Sequence, residues 1–377
     1  MDVAVIGGGP AGLYLSWLLR RRVPEARVTV FEQNPAGATY GFGVVFSDRA
    51  LEFLRDGDEE TLAYLTPHME AWTDIKVVHR DVAMAIDGNG FASIGRLRLL
   101  DLLRARCEAA GVILRHETQV ERLEDLADFD LVVGADGVNS LIRRERADAF
   151  GASEVLLDNR FAWYGTTKPF DCLTLTFRES PDGAFCAHHY RYEPGMSTFL
   201  VECDAATFER AGLGAMSDAE SRAYCAGVFG ADLDGHALES NRSIWRRFPQ
   251  IGNARWHVGN AVLIGDALRT AHFSIGSGTR LAMEDALALV NAIRGHDAVA
   301  EALPAFEAAR RPAVDKLVAA ATRSARWYEG MGDLMALDPY EFAHAYMTRT
   351  GRVSDERLAR VAPRFMADYA AHRQGVS

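Results

Sequence analysis

The sequence predicts an α/β fold in which a Rossmann-like nucleotide-binding domain is interrupted by an antiparallel β-sheet and followed by a helical C-terminal region. Three observations support this prediction. A G-x-G-x-x-G segment at residues 7–12 joins a short apolar run to a helical pattern. Residues 161–203 are rich in aromatic and β-branched residues and are divided by turn sequences. The last part of the chain is alanine-rich and has a mostly helical pattern.

Composition limits the function classes. At about 150 residues per domain, 377 residues correspond to two or three domains, and 49% hydrophobic with 25% charged residues is ordinary for a folded protein. The chain contains no apolar run of 18 residues and no basic segment before its first apolar stretch, so we expect neither a membrane span nor a signal peptide. A net charge of −11 disfavours nucleic acid as a partner but leaves a local anion site open.

Cysteine usage indicates a reducing compartment. The five cysteines are odd in number, lie far apart and form no C-x-x-C pair. We therefore expect a cytoplasmic protein without disulfides and without a metal site.

The first 32 residues predict a βαβ unit. Val3–Ile6 is a short buried strand, Leu13–Arg22 is a helix with an apolar face, and Arg27–Glu32 is a second strand. The next segment, Asn34–Ser47, is predicted to be a glycine-rich loop.

Each glycine of the first turn has a physical role in a dinucleotide site. Gly7 allows the tight turn, Gly9 lets the backbone approach a pyrophosphate, and Gly12 lets helix and strand pack closely. Glu32 follows Gly12 by 20 residues (32 − 12) and accepts hydrogen bonds from a ribose in such sites. The alternative is a glycine turn with a purely structural role.

The middle of the chain predicts a hairpin, a helix and two further strands. Residues 75–79 and 82–86 form the hairpin, 96–110 the helix, and 112–116 and 130–134 the strands. The last strand ends in Ala135-Asp136-Gly137, which places Asp136 at the carboxyl end of a strand, where open α/β sheets bind ligands. A helix cap is the alternative role for Asp136.

The nucleotide-binding pattern returns near residue 261. After the aromatic sheet and a helix at 217–229, residues 261–265 predict a strand and 278–294 a long helix. Asp266 follows this strand and can accept a hydrogen bond from a polyol chain, while the helix start at Gly278 favours a ligand that becomes anionic, as a reduced flavin does. Plain helix capping is again the alternative.

These elements predict a discontinuous domain organisation. We assign residues 1–75, 95–155 and 255–300 to the nucleotide-binding domain and residues 76–94 and 156–254 to a substrate-binding sheet domain. Residues 301–377 form the helical C-terminal region.

In this order, the three motifs resemble the FAD-dependent aromatic hydroxylases, the para-hydroxybenzoate hydroxylase-like flavoprotein monooxygenases, whose FAD-binding domain is of the glutathione reductase type. The resemblance covers nearly the whole chain. It implies FAD as the cofactor and NAD(P)H as a co-substrate. The residues implied to contact the cofactor are Gly7, Gly9, Gly12, Glu32, Gln33, Gly43, Arg96, Asp136, Gly265, Asp266, Gly276, Gly278 and Thr279.

One branch of this family is especially similar. The strings GFGVVFSD (41–48), ADGVNS (135–140) and HFSIGSGT (272–279) resemble the branch of the salicylyl-CoA 5-hydroxylases, the 2-aminobenzoyl-CoA monooxygenases and the violacein-pathway hydroxylase. The chain also departs from the common family pattern. Phe273, the segment 276–278 (Gly-Ser-Gly) and Arg280 stand where the family usually has proline, Gly-Gln-Gly and asparagine, so the surroundings of the flavin ring differ.

The resemblance implies a reaction class. NAD(P)H reduces FAD, O₂ reacts with it, and the C4a-hydroperoxide hydroxylates an electron-rich aromatic ring. We expect an aromatic acyl-CoA, salicylyl-CoA first, with gentisyl-CoA as the product. Arg160, Arg191, Arg246 and Arg247 are available for its phosphates, or are ordinary surface arginines.

Two alternatives and several partners stay open. The first alternative substrate is an indole or tryptophan-derived ring in natural-product synthesis. An alternative of another class is a flavin protein that does not oxygenate, such as a reductase or a binding module. We expect no nucleic-acid or membrane partner, and a homodimer is left open.

The candidate catalytic residues are His272, His188 and Tyr190. His272 precedes the flavin-facing turn and is the first candidate for a hydrogen bond to a substrate phenol, with a loop-stabilising role as the alternative. His188 and His189 are neighbours on a predicted strand, so one is expected to face the substrate cavity and the other solvent or the sheet packing. Tyr190 is expected to line the aromatic pocket or to pack in the core.

Overall fold

The computed structural model describes residues 1–375, without an account of the Arg49 side chain. Its strands are β1 (Asp2–Ile6), β2 (Arg27–Phe31), β3 (Gly43–Ser47), β4 (Glu70–Trp72), β5 (Ile75–His79), β6 (Val82–Ile86), β7 (Phe91–Gly95), β8 (Ile113–Arg115), β9 (Leu131–Gly134), β10 (Ala152–Thr166), β11 (Thr174–Ser180), β12 (Gly183–Glu193), β13 (Met196–Cys203), β14 (Leu238–Ser240), β15 (Arg246–Asn253), β16 (His257–Val258) and β17 (Ala261–Leu263). Its α-helices are α1 (Pro10–Arg22), α2 (Asp48–Gly57), α3 (Glu59–Leu65), α4 (Arg96–Ala109), α5 (Leu141–Glu145), α6 (Ala147–Phe150), α7 (Ala205–Arg210), α8 (Asp218–Val228), α9 (Gly230–Leu233), α10 (Gly278–Arg294), α11 (Val299–Glu329), α12 (Met331–Leu334), α13 (Pro339–Thr348), α14 (Asp355–Val361) and α15 (Pro363–Gly375). Short 3₁₀ turns lie at Thr66–His68, Leu123–Leu126, Gly137–Asn139, Leu213–Ala215, Gly265–Ala267 and Phe273–Ile275.

The first sheet has six strands in the order β16-β17-β9-β1-β2-β8, and only β16 runs antiparallel to its neighbour. The central strands are continuous apolar runs because helices cover both faces of a parallel sheet. This confirms the predicted Rossmann-like half. The carboxyl ends of β1, β9 and β17 lie side by side, so the three motifs that follow these strands meet at one edge of the sheet.

The second sheet has the order β14-β10-β13-β12-β11-β5-β6, and β15 pairs with the N-terminal part of β10, between Ala152 and Phe161. All pairs are antiparallel except β5 with β11, which confirms the predicted sheet and the hairpin at 75–86. One face packs against helices α7–α9 and the other against the C-terminal helices. The sheet therefore lies between two layers, and only its second face adjoins the C-terminal region.

A third, three-stranded sheet of order β3-β7-β4 shows that the loop prediction for Asn34–Ser47 was wrong over its last five residues. Residues 43–47 form β3, in which Val44 and Phe46 are buried, and pair with Phe91–Gly95. A glycine-rich segment acquired regular structure because a partner strand nearly 50 residues away supplied its hydrogen bonds. That pairing is not visible in the local sequence.

The C-terminal region is helical, as predicted. Helix α11 contains Pro304 and Pro312 and still runs for 31 residues. The domain boundaries given above stay a prediction, and positions 376–377 of the C-terminal region lie outside the described residues. None of the helices described is long and apolar enough to cross a membrane.

Candidate active site

The turn after β1 is built so that only glycine fits at its start. Gly7 has a φ of +107°, and a Cβ on this residue would lie 2.4 Å from the carbonyl oxygen of Ala135. The turn is therefore pressed against the end of β9. By contrast, a Cβ on Gly9 would meet no atom within 4 Å, so this backbone faces open space.

Helix α1 begins at this open space without a side-chain cap. Gly9 is its N-cap residue, and Pro10 occupies its first turn. The uncapped N–H groups and the positive end of the helix dipole are therefore available to an anion. Glu32 reaches the same turn: its Oε2 accepts a hydrogen bond from the Gly8 N–H at 2.7 Å, and its Oε1 accepts from the Asn34 N–H at 2.8 Å. The carboxylate still has lone pairs for a ribose hydroxyl.

Two carboxylates and an arginine lie along the same edge. Asp136 Oδ2 accepts a hydrogen bond from the Leu141 N–H at 2.7 Å, while its Oδ1 is buried without a partner among the described residues. The Asp266 side chain is accessible to solvent, yet the surrounding protein raises the pKa of its carboxyl. Asp266 stands at the edge where β1, β9 and β17 end, and we call the space along this edge of the sheet the cleft.

Arg96 faces Asp266 from the first position of α4. Burial lowers the pKa of its guanidinium and the Asp266 charge acts to raise it. Arg96 stands at the N-terminus of α4, where the helix dipole disfavours a cation. Its presence there favours an anionic ligand close to the guanidinium.

The third motif shapes the start of α10. Gly265 has a φ of +60° and is buried between α1 and α10, where a Cβ would lie 3.2 Å from that of Ala11. Gly276 has a φ of +59°, and α10 then begins at Gly278, where a Cβ would meet nothing within 4 Å and no side chain caps the helix. A second helix N-terminus thus faces open space, with Thr279 in its first turn.

The second sheet carries a buried polar cluster near this loop. His188 on β12 and Glu202 on β13 lie on the face that packs against the C-terminal helices, and His188 Nε2 is 3.2 Å from Glu202 Oε2. Asn159 Nδ2 donates to Glu202 Oε1 at 2.8 Å. His272 enters from the loop before α10, with its Nε2 3.8 Å from the same Oε1.

His189 is separated from this cluster by the alternation of the strand. Its Nε2 lies 2.9 Å from Thr176 Oγ1, and its ring stacks on Phe199 at 5.1 Å on the opposite face of the sheet. Burial lowers the pKa of His189 to about 3, so it is neutral. Of the two positions expected for these neighbours, His189 occupies the one in the sheet packing, while the role of His188 toward the substrate stays a prediction.

A narrow crevice leads from the cluster toward the surface. Its walls come from the ribbon of β10 and β15 and from helix α11, and its inner end is formed by Glu202 and His272. The other lining residues are Leu157, Asn159, Phe161, Phe248, Ala325 and Glu329.

Two domain families match the chain. An NAD(P)-binding Rossmann-like domain matches residues 5–43, and an FAD binding domain matches residues 127–321. Three characterised relatives align over most of the chain. Salicyloyl-CoA 5-hydroxylase of a Streptomyces species is 42% identical over 93% of this chain and 70% of its own length. The second, 3-hydroxy-4-methyl-anthranilyl-[aryl-carrier protein] 5-monooxygenase of Streptosporangium sibiricum, is 38% identical over 95% and 97%. Protodeoxyviolaceinate monooxygenase of Chromobacterium violaceum is 36% identical over 93% and 94%. The chain belongs to the FAD-dependent aromatic monooxygenases.

The enzyme therefore uses FAD and NAD(P)H and acts with O₂ on an aromatic substrate. Its fold is also found in 2-methyl-3-hydroxypyridine-5-carboxylic acid oxygenase, with a TM-score of 0.73 at 16% identity and 96% coverage of both chains. This likeness confirms the FAD-binding fold predicted from the sequence.

The cleft of the enzyme fits FAD in three respects. Two uncapped helix N-termini, those of α1 and α10, face open space at Gly9 and Gly278. The buried Asp136 Oδ1 lacks a donor that a ligand hydroxyl would supply. Arg96 and Asp266 provide a cation and an acceptor within the cleft.

Two of the predicted residues, Gly43 and Tyr190, form hydrogen bonds within the protein. The N–H of Gly43 donates to Thr198 Oγ1 at 2.9 Å, and its carbonyl accepts from the Tyr190 hydroxyl at 2.8 Å. The backbone polar groups of Gly43 and the hydroxyl of Tyr190 are therefore already bonded within the protein. Gln33 is exposed beside the glycine turn. The roles of all these residues toward cofactor or substrate stay predictions.

Sequence reasoning missed Glu202 and Asn159. The signal for Glu202 was present, since a glutamate inside the apolar strand STFLVEC is rarely buried unless it is paired. Asn159 gave no comparable signal, because its contact depends on the pairing of β10 with β13.

Proposed function

We propose that this enzyme hydroxylates the ring of an aromatic thioester, with salicyloyl-CoA as the first substrate, 5-hydroxylation as the regiochemistry and gentisyl-CoA as the product. The observation that carries the proposal is the crevice, which is aromatic in its walls, polar at its buried end and flanked by an exposed arginine outside. FAD, when bound, supplies the reduction by NAD(P)H and the activation of O₂.

We assign the binding of FAD to the cleft at the edge of the first sheet. The open backbone at Gly9 and the N-terminus of α1 would receive the pyrophosphate, with Arg96 as its counter-charge. Asp136 and Asp266 would accept hydrogen bonds from hydroxyl groups of the cofactor. The N-terminus of α10 would stabilise negative charge on the reduced flavin.

The aromatic ring of the substrate would lie at the inner end of the crevice, which in this structure is too narrow for a water molecule, so the walls have to move apart to admit it. Phe161 and Phe248 provide ring faces, and His272 lies 4.9 Å from Phe248, measured between ring centroids. Phe273, which replaces the usual proline of the family, packs against Phe161 with 4.9 Å between the ring centroids. The walls therefore exclude water around the ring, while the cluster behind them offers hydrogen bonds.

The thioester tail would leave the crevice beside Phe161, on the side of strand β15. Arg246 is the direct cross-strand partner of Phe161 and lies two residues before Phe248, so all three share one face of the ribbon. Arg246 is exposed, and no carboxylate pairs with it in the described part of the chain. By contrast, Arg191 is paired with Glu70 at 2.9 Å and Arg247 with Asp158 at 2.9 Å. Of these, Arg246 is thus the arginine best placed for a CoA phosphate.

The names of the relatives agree with a thioester. Salicyloyl-CoA and an aryl group on a carrier protein both present an aromatic acyl group on a thioester. The violacein-pathway relative, whose name contains no thioester, supports the indole-type substrate as the second candidate.

Location and assembly complete the proposal. All five cysteines are buried and free, which supports a reducing, cytoplasmic location. The homodimer stays a prediction, which light scattering coupled to size-exclusion chromatography tests directly.

The decisive experiment measures NAD(P)H oxidation and product formation by the FAD-loaded enzyme with salicyloyl-CoA, free salicylate and protodeoxyviolaceinate in parallel. We expect fast oxidation and a hydroxylated product with the thioester alone. Turnover of free salicylate would contradict the role of the thioester. Turnover of protodeoxyviolaceinate alone would favour the indole-type candidate, and NAD(P)H oxidation without any hydroxylated product would favour a flavin protein that does not oxygenate.

A further inference from the structure

Glu202 is a carboxylate with no access to solvent, placed next to the carboxyl end of the apolar strand β13. Burial acts to raise the pKa of its carboxyl, but the hydrogen bonds from His188 and Asn159, together with the neighbouring His272, outweigh it and hold the pKa below its usual value. Glu202 is therefore an anion at neutral pH, and its surroundings are arranged to keep it so.

The contacts of His272 fix the position of its proton. Its Nδ1 accepts the backbone N–H of Ser274 at 3.4 Å and lies 2.9 Å from the Ser274 hydroxyl. The proton is therefore on Nε2, the nitrogen that faces Glu202. Burial lowers the pKa of His272 to about 4, so the ring is neutral, and both of its nitrogens face protein partners.

His188 differs from His272 in that only one of its two ring nitrogens has a protein partner. Its Nε2–H donates to Glu202 Oε2 at 3.2 Å, which leaves the lone pair on Nδ1. No residue in the described range hydrogen-bonds to that Nδ1. His188 lies next to Glu202 but outside the lining of the crevice, so the substrate hydroxyl would reach it once the inner end opens. A carboxylate that holds one imidazole nitrogen protonated and leaves the other free is the arrangement of an oriented general base.

We propose that His188 is the base that takes the proton of the substrate's ring hydroxyl, and that Glu202 is the positioning residue that holds His188 for this transfer. The proposal rests on the hydroxylated aromatic substrate proposed above. It reverses the order expected from the sequence, in which His272 came before His188.

In this step one proton moves from the substrate to His188. The O–H bond of the substrate breaks, its electron pair stays on oxygen, and an N–H bond forms at His188 Nδ1. Glu202 stabilises the resulting imidazolium without taking its proton. The oxyanion raises the electron density at the ring position para to it, which is the carbon that the proposed reaction hydroxylates. The proton returns to oxygen after hydroxylation, and His188 ends the cycle neutral.

Other ionisable groups around His188 do not compete for this role. Tyr328, with its ring 5.0 Å away, has a hydroxyl without a partner among the described residues, and burial raises its pKa far above the usual value, so it stays protonated. Burial likewise keeps the Cys186 thiol protonated. Arg349 is held by Ser324 Oγ at 2.9 Å and by the Ser274 carbonyl at 2.8 Å. The carboxylate of Glu329 lies at the outer end of the crevice and accepts the Asp158 N–H.

The first test measures the ionisation of bound substrate. Salicyloyl-CoA is bound to FAD-loaded enzyme without NAD(P)H, and its phenolate absorbance is followed from acid to alkaline pH. In the wild type we expect the bound phenol to ionise about one pH unit or more below the free thioester. Glu202→Gln and His188→Gln should lose this shift while the Kd changes by no more than about threefold. His189→Gln, the adjacent histidine on the opposite face, is the matched control and should keep it.

An unchanged phenol titration in Glu202→Gln or His188→Gln would overturn the proposal. Failure of salicyloyl-CoA to bind any form, wild type included, would instead contradict the proposed thioester substrate. The proposal about His188 is then decided by a measurement that needs no substrate.

That second test is NMR of enzyme labelled with ¹⁵N-histidine. We expect His188 in the wild type at neutral pH to carry its proton on Nε2, with population of the Nδ1–H form rising in Glu202→Gln. His272 should stay Nε2-protonated in both, because Ser274 fixes it. A wild-type His188 with its proton on Nδ1 would overturn the proposal, even if the Glu202 variant does not fold.

Discussion

Gly12 lies directly against Gly7: a Cβ on Gly12 would come within 2.0 Å of the Gly7 carbonyl oxygen. The first turn of α1 is therefore packed against the loop that would receive the FAD pyrophosphate. The neighbouring Gly9 has an extended backbone, with φ of −78° and ψ of −178°, and open space where its Cβ would be. The two glycines separate a packing role from a ligand role.

Gly12→Ala and Gly9→Ala should therefore fail in different ways. The methyl group of Gly12→Ala meets backbone, and we expect a loss of about 2 kcal/mol in the free energy of unfolding together with loss of FAD. Gly9→Ala should leave the melting temperature of the apoprotein unchanged and weaken FAD binding by about tenfold or more, because the methyl group occupies the approach path of the ligand. Thermal unfolding measures the stability of each variant, and flavin fluorescence titration measures its affinity for FAD. Equal FAD affinity in wild type and Gly9→Ala would contradict the pyrophosphate assignment.

Arg96→Gln should raise the Kd for FAD by about tenfold to a hundredfold, because a buried charge-assisted hydrogen bond to phosphate is lost. Arg98 is the matched control: it lies on the same helix, is exposed, and bonds to His68 Nδ1 at 3.3 Å. Arg98→Gln should bind FAD as the wild type does. Isothermal titration of the two apoproteins gives the comparison, and equal losses would assign the effect to helix α4 as a whole.

Arg246→Gln should raise the KM for salicyloyl-CoA by about tenfold and leave kcat unchanged, because it removes binding to the tail rather than to the reacting ring. A short thioester, S-salicyloyl-N-acetylcysteamine, has no phosphate, so its KM should be the same in the wild type and in Arg246→Gln. Arg255→Gln, in which an exposed arginine outside the ribbon is changed, serves as the control. An equal rise in KM for both thioesters would mean that Arg246 acts on the shape of the crevice.

His189 should make stability depend on pH in the acid range. Burial lowers its pKa in the folded protein to about 3, against 6.5 in the unfolded chain. The unfolded state then binds one more proton between these values, so stability is lost as the pH falls through this window, by about 1.4 kcal/mol per pH unit. His189→Gln removes this contribution, and its free energy of unfolding should depend less steeply on pH. Urea unfolding at several pH values from 7 down to 4 measures both slopes, and identical slopes would show that His189 titrates normally.

Much of the nucleotide-binding half was predictable because its signals are local. The turn at 7–12, the position of Glu32 and the helices beginning at Arg96 and Gly278 follow from glycine chemistry, strand ends and apolar periodicity within short windows. The helix predicted at 96–110 appears at Arg96–Ala109, and the one at 278–294 appears with those bounds.

Strand β3 could not be predicted in this way. Its residues read as a loop because Gly43 and the preceding glycines dominate the segment, and only pairing with β7 makes 43–47 extended. Tertiary pairing here outweighs local preference, as it commonly does for strands.

The sequence by itself determined the family, the cofactor and the edge of the sheet where the motifs meet. Each of these depends on residues close together in the chain, and parallel strands bring their carboxyl ends to the same edge wherever they occur. The tertiary structure decided which histidine has a free nitrogen. Glu202, His188 and His272 come from two strands and a distant loop, and the proton positions follow from distances of about 3 to 4 Å between them. Strand register and loop packing set such distances, and neither is written in the spacing of residues along the chain.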